Sequence, residues 1–279
     1  MADGKPCLSF EFFPPKTPVG HQKLLDAADH LASYRPEFFS VTYGAGGSTR
    51  DGTLNTVLAL RELGHEVAPH LSFSGNDRDE VHELLQRYRQ AGIRRVVALR
   101  GDAPSGMGAA QRLYARDLVA FIRAEFGTAF SLEVAAYPEV HPESKSAETE
   151  LRHFAEKVAA GADGAITQYF FSPDAYFRFL DECERQGVGV PIVPGIMPIT
   201  NHERLVRFSD ACGAEIPRWI RKRLETFGDD TNGLIEFGAE VVTRLCEQLL
   251  AGGAPGLHFY TLNQSEPSAR LCNALGFGH

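Results

Sequence analysis

Short apolar runs, separated by longer stretches of helical period, organise the whole chain. The runs cover residues 7–13, 38–43, 67–73, 95–99, 132–137, 165–171, 191–197 and 257–262. Most are rich in Val, Ile or Phe and nearly continuous, the pattern of strands buried on both faces. Between them the period changes to that of a helix. Val81, Leu84, Leu85 and Tyr88 recur at helical spacing, with Gly92 as a C-terminal stop. Ser172-Pro173 predicts another helix start, a capping residue followed by proline at the first position. Its apolar face is expected to include Tyr176, Phe177 and Leu180, with Gly187 past its end. Leu234, Phe237, Val241, Leu245 and Leu249 predict a long helix before the last strand. The interval before that strand also leaves room for an extra helix over 217–227, and a short final helix is expected after Pro267.

Strands alternating with helices imply right-handed βαβ units and a parallel sheet. An open doubly wound sheet would announce a dinucleotide site by G-x-G-x-x-G after a strand. The nearest approach, Gly106-Met-Gly108-Ala-Ala-Gln111, fails at its last position, and no Walker A sequence is present. The expected architecture is therefore a single (β/α)8 TIM barrel over residues 1–279, with an extra helix between strands seven and eight and no regulatory domain.

Composition narrows the function classes. The formal net charge of -8 and the lack of a Lys/Arg block argue against a nucleic-acid partner. Five scattered cysteines without a C-x-x-C pair predict neither a disulfide framework nor a zinc site. With no signal peptide and no long apolar run, a cytoplasmic protein without a membrane span is expected.

In a barrel, polar residues at the C-terminal ends of strands are the candidates for chemistry. Here those ends carry Glu11, Thr42-Tyr43-Gly44-Ala45, His70, Arg100-Gly101-Asp102, Tyr137-Pro138-Glu139-Val140-His141, Gln168 and Tyr260-Thr261-Leu262-Asn263. Glu11 is the sharpest signal. Set among three phenylalanines and two prolines, it is expected to be desolvated, which favours a neutral carboxyl able to act as a general acid. The alternative is a structural carboxylate paired with a barrel Arg or Lys. His70 and His141 fall in no metal-ligand motif, and ligand hydrogen bonds or rim contacts are their expected roles. No strand end offers a lysine suited to Schiff-base chemistry.

Blocks at all eight strands occur in the order of a known family. They are Phe10-Glu11-Phe12-Phe13-Pro14-Pro15, Val41-Thr42-Tyr43-Gly44-Ala45, Ala68-Pro69-His70-Leu71, Ala98-Leu99-Arg100-Gly101-Asp102, Ala136-Tyr137-Pro138-Glu139-Val140-His141-Pro142, Ala165-Ile166-Thr167-Gln168, Val193-Pro194-Gly195-Ile196-Met197-Pro198 and His258-Phe259-Tyr260-Thr261-Leu262-Asn263. Together they resemble the bacterial 5,10-methylenetetrahydrofolate reductases over essentially the whole chain. The resemblance implies noncovalent FAD, reduced by NADH or NADPH and reoxidised by methylenetetrahydrofolate in a ping-pong scheme. The product would be 5-methyltetrahydrofolate for methionine synthesis, made by a homo-oligomer.

By the same resemblance Glu11 matches the general acid that protonates folate N10, and Asp102 the carboxylate beside flavin and folate. Gln168 and Phe208 match residues that meet the bound substrate. Arg204 stands on the same substrate-side helix, where it could meet a glutamate tail or a nucleotide phosphate, or be a solvated charge. Thr42, Tyr43, Ala45, His70, Arg100, Gly101, Asp102, Tyr114, Ala115, Tyr137, His141, Glu150 and Lys157 fall where the family holds FAD, Thr42 also beside substrate, and Arg100 and Lys157 would meet its pyrophosphate. Two other classes compete: a flavin-free pterin-binding methyltransferase barrel, and a folate- or flavin-binding barrel without turnover.

Overall fold

The computed structural model describes residues 6–43, 50–73, 77–100 and 113–278. Its strands are β1 (Cys7–Phe12), β2 (Phe38–Val41), β3 (Val67–Leu71), β4 (Arg95–Ala98), β5 (Ser131–Ala136), β6 (Gly164–Thr167), β7 (Ile192–Val193), β8 (Gly195–Ile196) and β9 (Gly256–Tyr260). All pair in parallel, in the order β7-β6-β5-β4-β3-β2-β1-β9-β8. The two ends of that order are halves of one segment, parted at Pro194. Proline has no N–H to give to the ladder, but the Pro194 carbonyl still accepts from the His258 N–H at 3.0 Å. The barrel is closed, and its seventh strand is this segment in two pieces.

The helices α1 (Pro18–Ala32), α2 (Arg50–Glu62), α3 (Arg78–Gln90), α4 (Ala115–Phe126), α5 (Ala147–Ala159), α6 (Pro173–Arg185), α7 (His202–Cys212), α8 (Arg218–Glu225), α9 (Thr231–Ala251) and α10 (Ser265–Ala274) pack around it. The buried face of α3 is the expected set Val81, Leu84, Leu85 and Tyr88, and Gly92 takes φ +79° behind it. Helix α8 is the expected extra helix. The α6 face is centred on Ala175, Tyr176, Phe179 and Cys183, with Phe177 and Leu180 only half-buried at its flank. The final helix starts at Ser265, ahead of Pro267. Proline is tolerated in a first turn, where the N–H has no intrahelical acceptor. The sixth strand ends at Thr167, four residues short of the apolar run. Tyr169, Phe170 and Phe171 are buried all the same, in the loop leading to α6.

Strand alternation sends Phe10, Phe12 and Phe259 outward against the helices and leaves Ser9, Glu11, His258 and Tyr260 to the lumen. Phe38, Ala68, Val97 and Ile166, one from each of four strands, form a separate apolar layer inside. Below it Arg95 lies 4.5 Å over the Phe38 ring and bonds Glu133 at 2.6 Å and Glu37, closing the N-terminal end. The polar groups of the upper lumen lie on the far side of this layer, towards the C-terminal ends of the strands.

Candidate active site

Glu11 is the centre of that upper layer. Its Oε2 lies 3.3 Å from His70 Nε2 and 3.6 Å from His258 Nε2. The Glu11 side chain is 17 % exposed and that of His258 is fully buried. Ser9, one inward position below Glu11 on β1, closes the chain, with Oγ 2.7 Å from His258 Nδ1. The surroundings expected from the local sequence are therefore corrected. The phenylalanines beside Glu11 in sequence lie on the opposite face of the strand, and imidazoles, not Arg or Lys, stand against the carboxyl.

The main chain around Glu11 is held from β9. Thr261 donates both its N–H (3.2 Å) and its hydroxyl (2.6 Å) to the Glu11 carbonyl. Asn263 grips the next turn of chain, accepting from Phe13 N–H at 2.9 Å and donating to its carbonyl at 2.8 Å. To make this grip, Leu262 and Asn263 take φ of 52° and 58°. The left-handed region is common for Asn and strained for Leu.

Burial pushes the His70 imidazole below its ordinary value of 6.5; Glu11 opposes the shift and His258 adds to it. His70 is thus a neutral neighbour near pH 7. Tyr260, in register with Glu11, is pushed well above 10 by burial and then by the Glu11 charge, so its phenol keeps its proton. Its hydroxyl crosses to the Thr167 carbonyl at 2.7 Å, next to Gln168. Two imidazoles and a carboxylate invite comparison with a metal site, yet among the described residues no three such groups are placed to hold a metal ion.

The other predicted residues fall in two places. On the wall after β8, α7 carries Arg204 and Phe208 four residues apart, both half-buried and on one face. The Arg207 guanidinium lies 6.0 Å from the Phe208 ring. On the other rim Arg100, Tyr137, His141, Glu150 and Lys157 form one cluster. His141 meets the Tyr137 ring edge-on at 4.7 Å. Glu150 is buried and accepts from Ser144. Lys157 donates to the Ala135 carbonyl at 2.5 Å, and its ammonium is lowered to about 8, by burial first and also by Arg100, with Glu150 opposing. Arg100 pairs with Glu143 at 2.6 Å where both side chains are substantially exposed.

Thr42 follows β2, its N–H on Phe12 at 2.9 Å and its carbonyl accepting from Thr53 at 2.9 Å, with Tyr43 next to it at the rim. Tyr114 and Ala115 open α4, where Tyr114 N–H donates to the Asp117 carboxylate at 2.7 Å. Ala45, Gly101 and Asp102 lie outside the described residues. Ser9 is the site residue that motif reading passed over, while His258 and Tyr260 stood in the strand-end and family blocks with no role assigned. Their signal is register: Ser9 pairs with His258 and Glu11 with Tyr260, so the inward alternation that selects Glu11 selects them too.

The family model for methylenetetrahydrofolate reductase matches residues 1–276. The 5,10-methylenetetrahydrofolate reductase of Salmonella typhimurium is 42% identical over 270 residues, 96% of this chain and 90% of that protein. Methylenetetrahydrofolate reductase (NADH) 1 of Arabidopsis thaliana is 36% identical, over 98% of this chain and 49% of the plant protein. A Clostridium thermocellum structure, described as binding two copies of 5-methyl-5,6,7,8-tetrahydrofolic acid, aligns with a TM-score of 0.64 at 19% identity, over 97% of this chain and 94% of that one. That last likeness speaks for the barrel alone. The sequence matches go further: this chain belongs to the methylenetetrahydrofolate reductase family.

Proposed function

We propose that this barrel reduces 5,10-methylenetetrahydrofolate to 5-methyltetrahydrofolate with electrons from NADH or NADPH, one substrate following the other at the same FAD. The observation that carries the reading is the Glu11 carboxyl, set at the barrel mouth between two imidazoles with Ser9 behind one of them.

The rim cluster suits a flavin dinucleotide. Arg100 offers a guanidinium whose present partner is an exposed carboxylate, and such pairs contribute only about 0–1 kcal/mol. Exchange onto a phosphate therefore costs little. Lys157 adds a second cation, and Tyr137 and Glu150 line an adjoining cavity of about 390 Å³. Thr42, Tyr43, Ala45, His70, Gly101, Asp102, Tyr114, Ala115 and His141 complete the set assigned to FAD. Bound there, FAD supplies hydride transfer from the nicotinamide and on to the folate.

The residues' own work is proton delivery and orientation. Opening the imidazolidine ring of the folate requires a proton at N10, and Glu11 is the group assigned to give it. Either tautomer of His258 can serve this. With Glu11 ionised, His258 presents Nε2–H to the carboxylate and Nδ1 accepts from the Ser9 hydroxyl. With Glu11 protonated, its O–H donates to Nε2, and Nδ1–H turns to Ser9 Oγ. At 3.6 Å the two groups stand just beyond hydrogen-bond distance and His258 Nε2 has no hydrogen-bond partner among the described residues, so either arrangement requires the carboxyl to close on the ring. Asp102 is assigned to the pterin and flavin, while Gln168 and Phe208 orient the substrate, with Arg204 beside them.

The direct test is steady-state turnover of the purified protein with FAD, NADH and methylenetetrahydrofolate, the product being identified by mass. Formation of 5-methyltetrahydrofolate at the rate of NADH loss is expected. NADH loss without a folate product contradicts the reading.

A further inference from the structure

We infer that Tyr169 and Ser209 form a positioning pair for the substrate wall, with Tyr260 as its anchor on the barrel. The inference rests on the assignment of Gln168 and Phe208 to the substrate under the proposed function.

Gln168 lies between two hydroxyl tethers. On its N-terminal side, the Tyr260 hydroxyl crosses the lumen to the Thr167 carbonyl at 2.7 Å. That crossing needs glycine at 195, since a Cβ there would lie 2.6 Å from Tyr260 Cε2 and 2.2 Å from the Thr167 carbonyl oxygen. On its C-terminal side, the Tyr169 hydroxyl lies 3.0 Å from Ser209 Oγ. Ser209 follows Phe208 on α7, so one bond joins the residue after Gln168 to the residue after Phe208. Tyr169 and Ser209 are 4% and 1% exposed, so water cannot replace the bond. Gln168 is also oriented through Tyr169, whose N–H donates to Gln168 Oε1 at 3.0 Å.

The two tyrosines meet edge to face at 6.2 Å, and Tyr260 meets His258 in the same way at 5.4 Å. A continuous line of contacts therefore runs from the Glu11–His258 pair to the helix carrying Phe208. Burial raises both phenols above 10, so the tethers keep their protons across the working pH range. A purely architectural pair would hold α7 to the barrel and affect stability alone. A positioning pair sets where Phe208 and Gln168 stand, and its loss falls on substrate affinity.

Tyr169→Phe and Ser209→Ala each delete the bond while keeping ring and helix. The experiment measures KM and kcat for methylenetetrahydrofolate in both variants, in the double variant and in the wild type, with melting curves for each. A net hydrogen bond of about 0.5–1.5 kcal/mol corresponds to a rise in KM of roughly two- to thirteenfold. Both single variants should show that rise with kcat within about twofold, and the double variant should be no worse than either single, because both remove the same bond. An unchanged KM in the folded single variants overturns the proposal, as does a double variant in which the two effects multiply. A wild type that turns over no folate overturns the proposed function instead, and the two failures are told apart by that control.

Discussion

Glu11 and His258 face each other across the seam between β1 and β9, carboxyl oxygen to ring nitrogen at 3.6 Å, with the imidazole fully buried. The ring lies between Glu11 above and Ser9 below, both from the same strand. A two-residue step on β1 thus matches the depth of one imidazole, which is what inward alternation on parallel strands provides. Glu11 stands in a polar column above the apolar layer of Phe38, Ala68, Val97 and Ile166.

Replacing Glu11 by Gln keeps the shape of this column and, under the proposed function, removes the proton donor. On that reading only the folate half-reaction needs that proton. Glu11→Gln should slow reoxidation of reduced enzyme by methylenetetrahydrofolate by about 10²- to 10⁴-fold. Reduction by NADH should stay within a few-fold. Stopped-flow measurement of the two half-reactions checks this, and equal loss in both would remove Glu11 from the role of acid.

Ser9→Ala leaves His258 Nδ1 without its partner at 2.7 Å. Under the proposed function the imidazole then loses the group that takes up its change of tautomer. Folate reduction should fall by about two- to thirteenfold, in line with one net hydrogen bond. The pH profile of the folate half-reaction should move as well, while NADH reduction is untouched. An unaltered profile would make Ser9 a packing residue only.

His70 supplies a pH signature. Its folded-state value lies below 6.5, so between 6.5 and that value the unfolded chain binds more protons than the folded one. Stability therefore rises with pH through this window, and the His70 contribution is lost as pH falls below 6.5. Denaturant melts at pH 7.5 and 5.5 should show the wild type losing more stability than His70→Gln. A His70 ring resonance titrating at or above 6.5 would contradict the assignment.

Gly195 is held by its neighbours. An alanine Cβ there would lie 2.2 Å from the Thr167 carbonyl oxygen, a main-chain atom with little freedom to yield. Overpacking of this kind costs about 1–3 kcal/mol. Gly195→Ala should lower the denaturation midpoint accordingly and weaken folate binding through Tyr260. A fully stable variant with wild-type KM would show that the β7–β8 segment shifts freely.

The eight-strand pattern was legible because each strand is buried on both faces and reads as an apolar run. Its limits come from the same source. An apolar run does not say where pairing stops, so Tyr169–Phe171 reads as strand although the ladder ends at Thr167, whose hydroxyl accepts from the Gly195 N–H at 2.9 Å. Glu11 stood out as a carboxyl set among phenylalanines and prolines, but Phe10 and Phe12 point away from it. What surrounds it comes from β3 and β9, far along the chain, and only register brings His70, His258 and Tyr260 to its side. The rim cluster of Arg100, Tyr137, His141, Glu150 and Lys157 was legible through resemblance, since no spacing rule links β4, β5 and α5.

The account is tested most directly by the absorption spectrum of the FAD-loaded protein under anaerobic conditions, recorded alone, after NADH and after methylenetetrahydrofolate. Oxidised-flavin bands that bleach with NADH and return with the folate, with 5-methyltetrahydrofolate formed in equal amount, are the predicted result. A protein that binds no FAD when it is supplied, or whose bleached flavin is not reoxidised by the folate, would contradict the account.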